Sequence, residues 1–400
     1  MEDPKKIPRV IIKTGAEKSV HRKHPWLFSG AVEKIKGNPG SGDTVIVQSS
    51  NGADLCVGAY SPSSQIRIRI WDFNPYECID GSFFEKRIEQ AVDARSHLAC
   101  TQTTAYRLIN SENDGIPGLI VDHYDNYLVC QFLSAGVELW KDQIISLLVS
   151  RFDLAGVYER SDTESREKEG LPQRTGVLWG QAPPDSVIIN EHGVRLHVDV
   201  KNGHKTGFYI DQRENRKILS DYARDKKVLN CFSYTGGFSV WALKGGAARV
   251  TSIDVSENAL SLLRQNAEIN GCNSEEYDTI CADVFQTLRT MRDKNEKYDL
   301  IILDPPKFAH TSHQVNKAAR GYKDINLLAL KLLSKGGYLF TFSCSGHIST
   351  DLFQKIVADA AIDAKRQVSL IRYLHQPDDH AIALNFPEGL YLKGLICRAW

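Results

Sequence analysis

The chain has 400 residues, 42% of them hydrophobic and 24% charged, and its formal net charge is zero. One hydrophobic core rarely supports a chain of this length, so two or three domains are expected. No apolar run approaches the roughly 18 residues of a membrane span, and the N-terminal stretch "MEDPKKIPRV" has no apolar secretory core, which predicts a soluble, cytoplasmic protein without a membrane partner.

Residues 1–75 consist of short predicted strands and turns, with 11 Lys and Arg against 7 Asp and Glu, a charge of +4. In "SQIRIRIW" isoleucines alternate with Arg67 and Arg69, which predicts a strand with one apolar and one cationic face. The stretch "GDTVIVQSSNGADL" predicts a hairpin with Asn51 and Gly52 in its turn.

A basic cluster beside aromatic residues lies in the same region, in "HRKHPWLFSGAV". Cations such as Arg22 and Lys23 can neutralise phosphates, and an indole such as Trp26 can stack on a base. A core tryptophan behind a charged surface explains the pattern equally well. The cluster is therefore a candidate RNA contact.

The pattern of residues 76–194 predicts a small α+β domain. Most of this region, residues 76–190, holds 10 basic and 18 acidic side chains, a charge of −8. Helical periodicity covers 82–99 and 137–152. Strand-like runs cover 105–112, 118–134, 156–162 and 186–200. No motif in this region indicates a particular chemistry.

Residues 195–400 alternate strands and helices, and residues 191–400 hold 28 basic and 24 acidic side chains, a charge of +4. Strands are predicted over 226–232, 248–256, 277–285, 297–306 and 336–345, and helices over 238–246, 256–271, 284–293 and 321–337. Ser256 is a predicted N-cap and Gly271 a predicted C′ glycine, while 368–376 and 389–400 predict a closing pair of strands. This alternation predicts a doubly wound, mostly parallel sheet, in which ligands bind at the carboxyl ends of the strands.

The nine cysteines form an odd count without a CxxC pair, and they stand at positions 56, 78, 100, 130, 231, 272, 281, 344 and 397. This pattern argues against a disulfide framework and against a structural zinc site. Reduced thiols and no metal are expected, and one thiol is a candidate for chemical activity.

Glycine and aspartate follow the first three strands of the predicted sheet. Gly236 and Gly237 would let the backbone turn tightly beside a ligand. Asp254, at the end of the second strand, could accept both hydroxyls of a ribose, and Asp283-Val284 follows the third strand. Each aspartate alone could instead be a helix N-cap. Together the three strand ends indicate a cofactor that contains a nucleoside.

The fourth and fifth strands end in "LDPPKF" and "FTFSCSG". The two prolines fix an extended turn that presents Asp304 and Lys307 as polar groups. Cys344 stands at the adjacent strand end, where it is either a small packed hydrophobe or a nucleophile. Lys307 and a helix that starts near Ser349 are candidates for lowering the pKa of its thiol.

Six motifs, in their order along the chain, resemble those of the bacterial ribosomal RNA large-subunit methyltransferase I family: "GHKTGFYIDQRENR", "NCFSYTGGFSV", "DPPKF", "RGYKDINLLAL", "FTFSCSG" and "PEGLYLKG". "HPWLFSGAV" and "GAYSPSSQIR" resemble that family's PUA domain, and "NDGIPGLIVD" resembles its central domain. The resemblance covers essentially the whole chain. It implies a PUA-like RNA-binding β-barrel over 1–75, a central α+β domain over 76–194, and a Rossmann-like class I methyltransferase domain over 195–400.

The resemblance also implies a reaction, the transfer of a methyl group from S-adenosylmethionine (SAM) to carbon 5 of a cytosine in large-subunit (23S) ribosomal RNA. The base would be flipped out of its stack, and Cys344 would add to carbon 6, with Asp304 and Lys307 as further catalytic residues. The expected cofactor contacts are Asn230, Phe232, Tyr234, Gly236, Gly237, Asp254, Asp283, Val284 and Asp304. The expected lid residues are Tyr209, Asp211, Gln212 and Arg213, and the expected RNA contacts are Arg22, Lys23, Trp26, Arg67 and Arg69.

Several alternatives stay open at this stage. Lys307 in "DPPK" also resembles RNA uracil-5 methyltransferases, whereas many cytosine-5 enzymes carry a second cysteine after a proline there. Transfer to an exocyclic amine would make Cys344 a bystander. A nucleotide-dependent oxidoreductase on the same type of sheet and an RNA-binding module without catalysis are further readings. A homodimer is compatible with the sequence.

Overall fold

The computed structural model describes residues 7–99, 102–309 and 311–400, so the first six residues and Cys100 lie outside the described parts. Packing divides the chain into two compact units. The first unit contains the chain up to Ile189 together with Val198–Ile210 and Asp378–Gly389. The second contains Asn190–His197, Asp211–Pro377 and Leu390–Trp400. The predicted domain boundaries near residues 75 and 194 stay predictions.

The first unit begins with a six-stranded sheet. Its strands are β1 (Arg9–Ile12), β2 (Trp26–Phe28), β3 (Val32–Lys36), β4 (Thr44–Gln48), β5 (Asp54–Tyr60) and β6 (Ile66–Asp72), with helix α1 (Glu17–His21) after β1. The strand order is β2-β6-β5-β4-β1-β3. β4 and β5 form the predicted antiparallel hairpin, with Gly52 at a φ of 93° in its turn. In β6 the predicted alternation buries Ile68 and Ile70.

A second sheet of five strands follows in the same unit. Its strands are β7 (Ala105–Asn110), β8 (Leu119–Tyr124), β9 (Tyr127–Phe132), β10 (Gly156–Ser161) and β11 (Arg174–Gly180), in the order β11-β10-β9-β8-β7. The helices are α2 (Gly81–Ala94), α3 (Ser96–Ala99), α4 (Ala135–Leu139), α5 (Lys141–Val149) and α6 (Glu164–Lys168). The buried faces of α2, α5 and the sheet form one hydrophobic core.

Four predictions for this region need correction. The run 118–134 is a hairpin rather than one strand, because Asp125 adopts a left-handed turn between β8 and β9. The run 186–200 is likewise a hairpin of β12 (Val187–Glu191) and β13 (Val194–Val198). Each predicted helix is divided in two, at Arg95 and at Trp140. Strand β11 was not predicted.

Buried polar groups tie the separate segments of the first unit together. The guanidinium of Arg107 pairs with Asp122, and Asp122 Oδ2 accepts a hydrogen bond from Thr206 Oγ1 at 2.6 Å. The backbone N–H of Arg107 donates to Asp379 Oδ2 at 2.8 Å. The Asp122 and Asp379 side chains are fully buried. Because a buried polar group is costly without its partner, these bonds fix the segments 198–210 and 378–389 in place.

The second unit contains a seven-stranded sheet. Its strands are β14 (Lys227–Cys231), β15 (Arg249–Asp254), β16 (Tyr277–Cys281), β17 (Tyr298–Leu303), β18 (Leu333–Ser343), β19 (Val368–Leu374) and β20 (Lys393–Ala399). Its helices are α7 (Arg213–Ala223), α8 (Gly237–Lys244), α9 (Glu257–Ile269), α10 (Val284–Asp293), α11 (Val315–Leu332) and α12 (Thr350–Asp363). The strand order is β16-β15-β14-β17-β18-β20-β19, in which β20 pairs antiparallel with both neighbours.

Hydrophobic cores lie on both faces of this sheet, as a doubly wound fold requires. Helices α7, α8 and α9 contribute to one core, and α10, α11 and α12 contribute to the other. The predicted caps are confirmed, since Ser256 Oγ accepts from the N–H of Ala259 and Gly271 has a φ of 68°. The predicted five parallel strands and the closing pair are confirmed as well.

Candidate active site

The strand order of the second unit reverses between β14 and β17, and this place is the expected ligand crevice at the carboxyl edge of the sheet. The loop after β14 is unusual there, because Phe232, Tyr234 and Gly236 all have positive φ angles, of 60°, 47° and 81°. Residues other than glycine rarely adopt positive φ angles, and such strained backbone is concentrated at ligand-binding positions. The loop that carries the predicted contacts Phe232, Tyr234 and Gly236 is therefore held in an unusual shape.

Asp254 supports this loop from the end of β15. Its Oδ2 accepts a hydrogen bond from the N–H of Tyr234 at 2.8 Å, and its Oδ1 accepts from the N–H of Ser256 at 3.0 Å. A carboxylate has about four lone-pair positions. Each oxygen of this half-buried side chain therefore retains capacity for a ribose hydroxyl, as the sequence predicts.

Polar atoms beneath the same loop provide a test of whether a cofactor fits. The Asn230 Oδ1, Ser233 Oγ and Thr235 Oγ1 atoms are buried and have no hydrogen-bond partner within the described parts of the chain. Asn230 Nδ2, by contrast, donates to Ser239 Oγ at 2.8 Å. Buried polar atoms without partners are rare in folded proteins. Three of them around one loop fit a polar ligand such as the amino-acid end of SAM.

The loop after β16 offers an apolar wall and a capped helix. Asp283 is exposed and is the N-cap of α10, where its Oδ1 accepts from the N–H of Gln286 at 2.9 Å. Val284 is buried, and the Phe285 ring lies 6.4 Å from Phe232 and 6.1 Å from Phe308, between centroids. Both readings of Asp283, cap and cofactor contact, are compatible with this geometry. Together the valine and phenylalanine side chains form an apolar wall suited to an adenine.

The turn after β17 presents a carboxylate and a cation. Asp304 is half-buried, Pro305 is buried, and Lys307 is exposed. The next residue, Phe308, lies 4.7 Å from the ring of Tyr322 on α11, which anchors the turn against the core. The predicted proline turn thus holds Asp304 and Lys307 at the carboxyl edge.

Cys344 follows β18 directly and is half-buried, on the side of the sheet that carries Phe340 and Phe342. Its two serine neighbours are fully buried and bind a tyrosine. Ser343 Oγ donates to the Tyr322 hydroxyl at 3.0 Å, and Ser345 Oγ lies 3.2 Å from that hydroxyl. These bonds fix the backbone on both sides of the cysteine.

Lys393 was not among the predicted site residues, although it stands in the quoted motif "PEGLYLKG". It begins β20, pairs with Ser343 across the sheet, and is 4% exposed. Its Nζ donates to the carbonyl oxygens of Ser345 and Tyr391, both at 2.7 Å. Burial lowers its pKa to about 8, while the nearby Cys344 raises the pKa and Lys307 lowers it. A cation is therefore buried beside Cys344.

The four predicted lid residues divide between the two units. Asp211, Gln212 and Arg213 are buried in the second unit, where the Tyr391 hydroxyl donates to Asp211 Oδ2 at 2.7 Å. Tyr209 belongs to the first unit, with its ring 4.5 Å from the Nζ of Lys205. The segment thus links Asp211 to the strand that carries Lys393, and its role as a lid stays a prediction.

The predicted RNA contacts differ in exposure. Arg22 and Lys23 are exposed, and the Lys23 Nζ lies 4.7 Å from the centroid of the Phe73 ring. The other three side chains make contacts inside the first unit: Trp26 Nε1 donates to Glu112 at 2.8 Å, Arg67 donates to the Ser61 carbonyl at 3.2 Å, and Arg69 pairs with Glu169 at 2.6 Å. The exposed pair is therefore better placed to meet phosphates than Arg69 is.

Within the described ranges the chain has neither a metal-binding cluster nor a membrane-spanning helix. No group of three or more His, Cys, Asp or Glu side chains there is arranged to hold a metal ion. No helix within those ranges has both the length and the apolar character to span a membrane.

Family models and curated relatives match most of the chain. A model of S-adenosylmethionine-dependent methyltransferases matches residues 172–382, and a model of PUA-like domains matches residues 10–73. The ribosomal RNA large subunit methyltransferase I of Aeromonas salmonicida is 51% identical over 391 residues, which cover 98% of this chain and 99% of that protein. The protein of the same name from Klebsiella pneumoniae is 51% identical over 392 residues, 98% of each chain.

Solved structures match over nearly the whole length too. A SAM-dependent methyltransferase from Streptococcus mutans has a TM-score of 0.84 and 25% identity, and the match covers 98% of this chain and 99% of that one. A methyltransferase complexed with SAH has a TM-score of 0.85, with the same identity and coverage. The two family models confirm the predicted combination of a PUA-like domain with a SAM-dependent methyltransferase domain.

Proposed function

The chain belongs to the ribosomal RNA large subunit methyltransferase I family, and from that membership we propose that it methylates carbon 5 of a cytosine in large-subunit ribosomal RNA. The observation that carries the proposal is the position of Cys344, a half-buried thiol directly after β18 and close to the Lys393 ammonium. SAM, the methyl donor of this family, supplies an electrophilic methyl group on a sulfonium.

Carbon 5 of cytosine is a poor nucleophile, and addition of Cys344 to the ring would activate it. Its thiolate adds to carbon 6, the S–C6 bond forms, and the ring electrons make carbon 5 an enamine-like nucleophile. After carbon 5 has taken the methyl group, with S-adenosylhomocysteine as the leaving group, a base accepts the carbon 5 proton, the C5–C6 double bond forms again and the S–C6 bond breaks. The thiolate is thereby regenerated, and the product is 5-methylcytosine.

Asp304 supports cytosine as the target base. It follows β17, whose Leu303 pairs with Thr341 of the Cys344-bearing strand, so the two side chains belong to adjacent strand ends. An ionised carboxylate only accepts hydrogen bonds. The exocyclic amino group of cytosine donates one, whereas uracil presents an acceptor oxygen at the same position. A carboxylate there therefore favours cytosine.

The cofactor would lie against the loop after β14. Asp254 would accept from the ribose hydroxyls, and the buried oxygens of Asn230, Ser233 and Thr235 are available to the amino-acid end. Gly236 and Gly237 allow close approach of the backbone. Val284 and Phe285 would contact the adenine. Ser233 and Thr235 extend the set of contacts predicted from the sequence.

RNA must reach this site with its target base out of the stack, since carbon 6 is not accessible to a side chain inside a helix. The PUA-like domain, residues 10–73, carries the exposed Arg22 and Lys23 between α1 and β2, and these cations suit phosphate contacts. Their role would be to position the RNA rather than to identify the base.

The first test is Cys344→Ala, assayed by transfer from labelled SAM to large-subunit ribosomal RNA. We expect transfer to be abolished and SAM binding to stay unchanged. Cys272→Ala is the matched control, because Cys272 is also half-buried and packs against the same core. Turnover by Cys344→Ala near that of the unchanged protein would contradict the covalent mechanism.

A second test identifies the base and traps the adduct. RNA that contains 5-fluorocytosine has no proton to lose at carbon 5, so the S–C6 bond should persist and a protein–RNA adduct should survive denaturing electrophoresis. Uracil-5 methylation is the second candidate, supported by Lys307 in "DPPK". Mass spectrometry of the product nucleosides distinguishes 5-methylcytidine from 5-methyluridine and from an N-methylated base.

A further inference from the structure

Lys393 lies beside Cys344 but has no assigned step in the methyl transfer. It lies on β20, far from Cys344 in sequence, yet its Nζ donates to the carbonyl of Ser345, the residue directly after the cysteine. A second bond, to the carbonyl of Tyr391, fixes the amine from the opposite side. The side chain is 4% exposed, so water contributes little to its solvation. Both bonds hold the amine at the strand end that bears Cys344.

Within the described residues, the positive charge of Lys393 has no carboxylate partner. Its two hydrogen-bond acceptors are neutral carbonyls, and no salt bridge joins its Nζ to a carboxylate within the described residues. A buried charge is costly unless it is paired. The groups that interact with it electrostatically are Cys344 and the Lys307 ammonium. Of these two, only an ionised Cys344 can neutralise it.

We propose that Lys393 is a positioning residue that holds Cys344 in its thiolate form and so prepares the nucleophile for attack on carbon 6. The buried ammonium and the half-buried thiolate would stabilise each other electrostatically, which lowers the cost of burying the ammonium. A nearby cation lowers the pKa of a thiol and increases the thiolate fraction at neutral pH. When the thiolate has added to the base, the pair is broken, and the pair forms again when the product leaves.

Other titratable groups lie at the same edge of the sheet. The turn after β17 contributes Asp304 and Lys307, and Lys307 is exposed, which weakens its influence. Helix α11 contributes Tyr322, whose pKa is raised by burial, so it stays neutral at pH 7. Asp211 accepts from the Tyr391 hydroxyl. Lys393 is the cation of this set that is both buried and bonded to the backbone beside the thiol.

The experiment separates charge from hydrogen bonding. In Lys393→Gln the side-chain amide still donates two hydrogen bonds but has no charge, whereas Lys393→Arg keeps the charge. Lys227→Met is the matched control, because Lys227 is a partly buried lysine of the same sheet at the start of β14, the opposite edge. All variants are first compared for SAM binding by calorimetry and for thermal stability.

The readout is the rate at which iodoacetamide alkylates Cys344 between pH 5 and 10, measured by mass spectrometry of the peptide that contains it. We expect a midpoint below the ordinary thiol pKa of about 8.5 in the unchanged protein. Lys393→Gln should raise the midpoint by about one unit and slow alkylation at pH 7 roughly three- to tenfold, since the more basic thiolate is also more nucleophilic. Lys393→Arg and Lys227→Met should leave the midpoint within about 0.3 units. Alkylation of Cys272 in the same samples is the internal reference.

An unchanged midpoint in a Lys393→Gln protein that still binds SAM would overturn the proposal and leave Lys393 a structural residue. An equal rise in Lys393→Arg and Lys393→Gln would overturn it too, because charge would then not be the cause. If Lys393→Gln does not fold, the alkylation midpoint of Cys344 is compared in the unchanged protein and in Lys393→Arg. A midpoint below about 8.5 in both supports the proposal, and a midpoint at or above that value in the unchanged protein overturns it. The inference rests on the proposed role of Cys344, but alkylation is measured without RNA. The failure of this inference can therefore be distinguished from the failure of the proposed covalent mechanism, which would appear as retained turnover in Cys344→Ala.

Discussion

Gly236 has a left-handed conformation, with a φ of 81°, directly before α8. A Cβ atom at this position would lie 2.3 Å from Leu263 Cγ. We predict that Gly236→Ala lowers the free energy of unfolding by about 3 kcal/mol, through left-handed strain and side-chain overlap. It should also weaken SAM binding, because the distorted loop carries Ser233 and Thr235. Urea denaturation and calorimetry with SAM measure the two effects.

Gly271→Ala is the control for this prediction. Gly271 is also left-handed, with a φ of 68°, but a Cβ atom there would meet nothing within 4 Å. The control should therefore lose only the strain energy of about 1–2 kcal/mol and keep the SAM affinity of the unchanged protein. Equal losses in the two variants would show that overlap with Leu263 is unimportant.

The candidate site residues that the sequence predicts, and Lys393, which it does not, differ in what brings them to the carboxyl edge of the sheet. Asp254 and Cys344 stand directly at or after recognisable strands, so local pattern sufficed to place them at the carboxyl edge. Lys393 could not be found in this way, because it looks like any residue of a closing strand. Its importance depends on the insertion of β20 between β18 and β19, a pairing between distant parts of the chain. The available signals were a cation inside the predicted strand 389–400 and its place in the quoted motif "PEGLYLKG".

At the scale of elements, the end of β18 is fixed by helix α11. The Tyr322 hydroxyl accepts from Ser343 Oγ at 3.0 Å and lies 3.2 Å from Ser345 Oγ. We predict that Tyr322→Phe costs about 1–3 kcal/mol of stability, because the two buried serines lose a partner. It should also lower the rate of methyl transfer several-fold at unchanged SAM affinity, since Cys344 lies between those serines. Single-turnover assays and urea denaturation measure the two quantities.

Tyr298→Phe tests whether the loss of rate is specific to this strand end. Tyr298 is equally buried and donates to Glu296 Oε2 at 3.0 Å, but it lies at the start of β17, on the opposite edge of the sheet. A similar loss of stability with an unchanged transfer rate is expected. A rate loss as large as that of Tyr322→Phe would mean that general destabilisation explains both results.

Element prediction succeeded where side-chain pattern and capping agree, as in α9, whose Ser256 cap and Gly271 stop were both read correctly. It failed at two tight turns, of which the turn at Asp125 between β8 and β9 has no glycine, whereas the turn between β12 and β13 contains Gly193. Strand β11 was missed because its mostly exposed residues, at the edge of the sheet, do not alternate in a recognisable way. Its position depends on pairing with β10, which a local pattern does not report.

At the scale of the whole molecule, the acidic middle region neutralises part of the basic N-terminal region. Glu169 pairs with Arg69 at 2.6 Å, and Glu112 lies 3.6 Å from the Arg69 Nε and accepts from Trp26. The charges of +4 and −8 are thus partly paired inside the first unit. The cations that remain exposed there, such as Arg22 and Lys23, are the ones that a phosphate backbone can meet.

This distribution predicts opposite outcomes for two sets of substitutions in the PUA-like domain. Replacing Arg22 and Lys23 together by Ala should weaken binding to large-subunit ribosomal RNA and reduce the salt slope by about 2, since each cation that contacts a phosphate displaces about one counterion. Arg69→Ala should leave the slope unchanged and destabilise the unit by about 3 kcal/mol, because the charge of Glu169, 2% exposed, would stay buried without its cationic partner and with only the Ser61 hydroxyl and the Ala135 N–H, among the described residues, as hydrogen-bond donors. Filter binding over a series of KCl concentrations measures the slopes, and thermal unfolding measures the stability. An unchanged slope in the double variant would remove Arg22 and Lys23 from the RNA interface, and a reduced slope in Arg69→Ala would restore Arg69 to it.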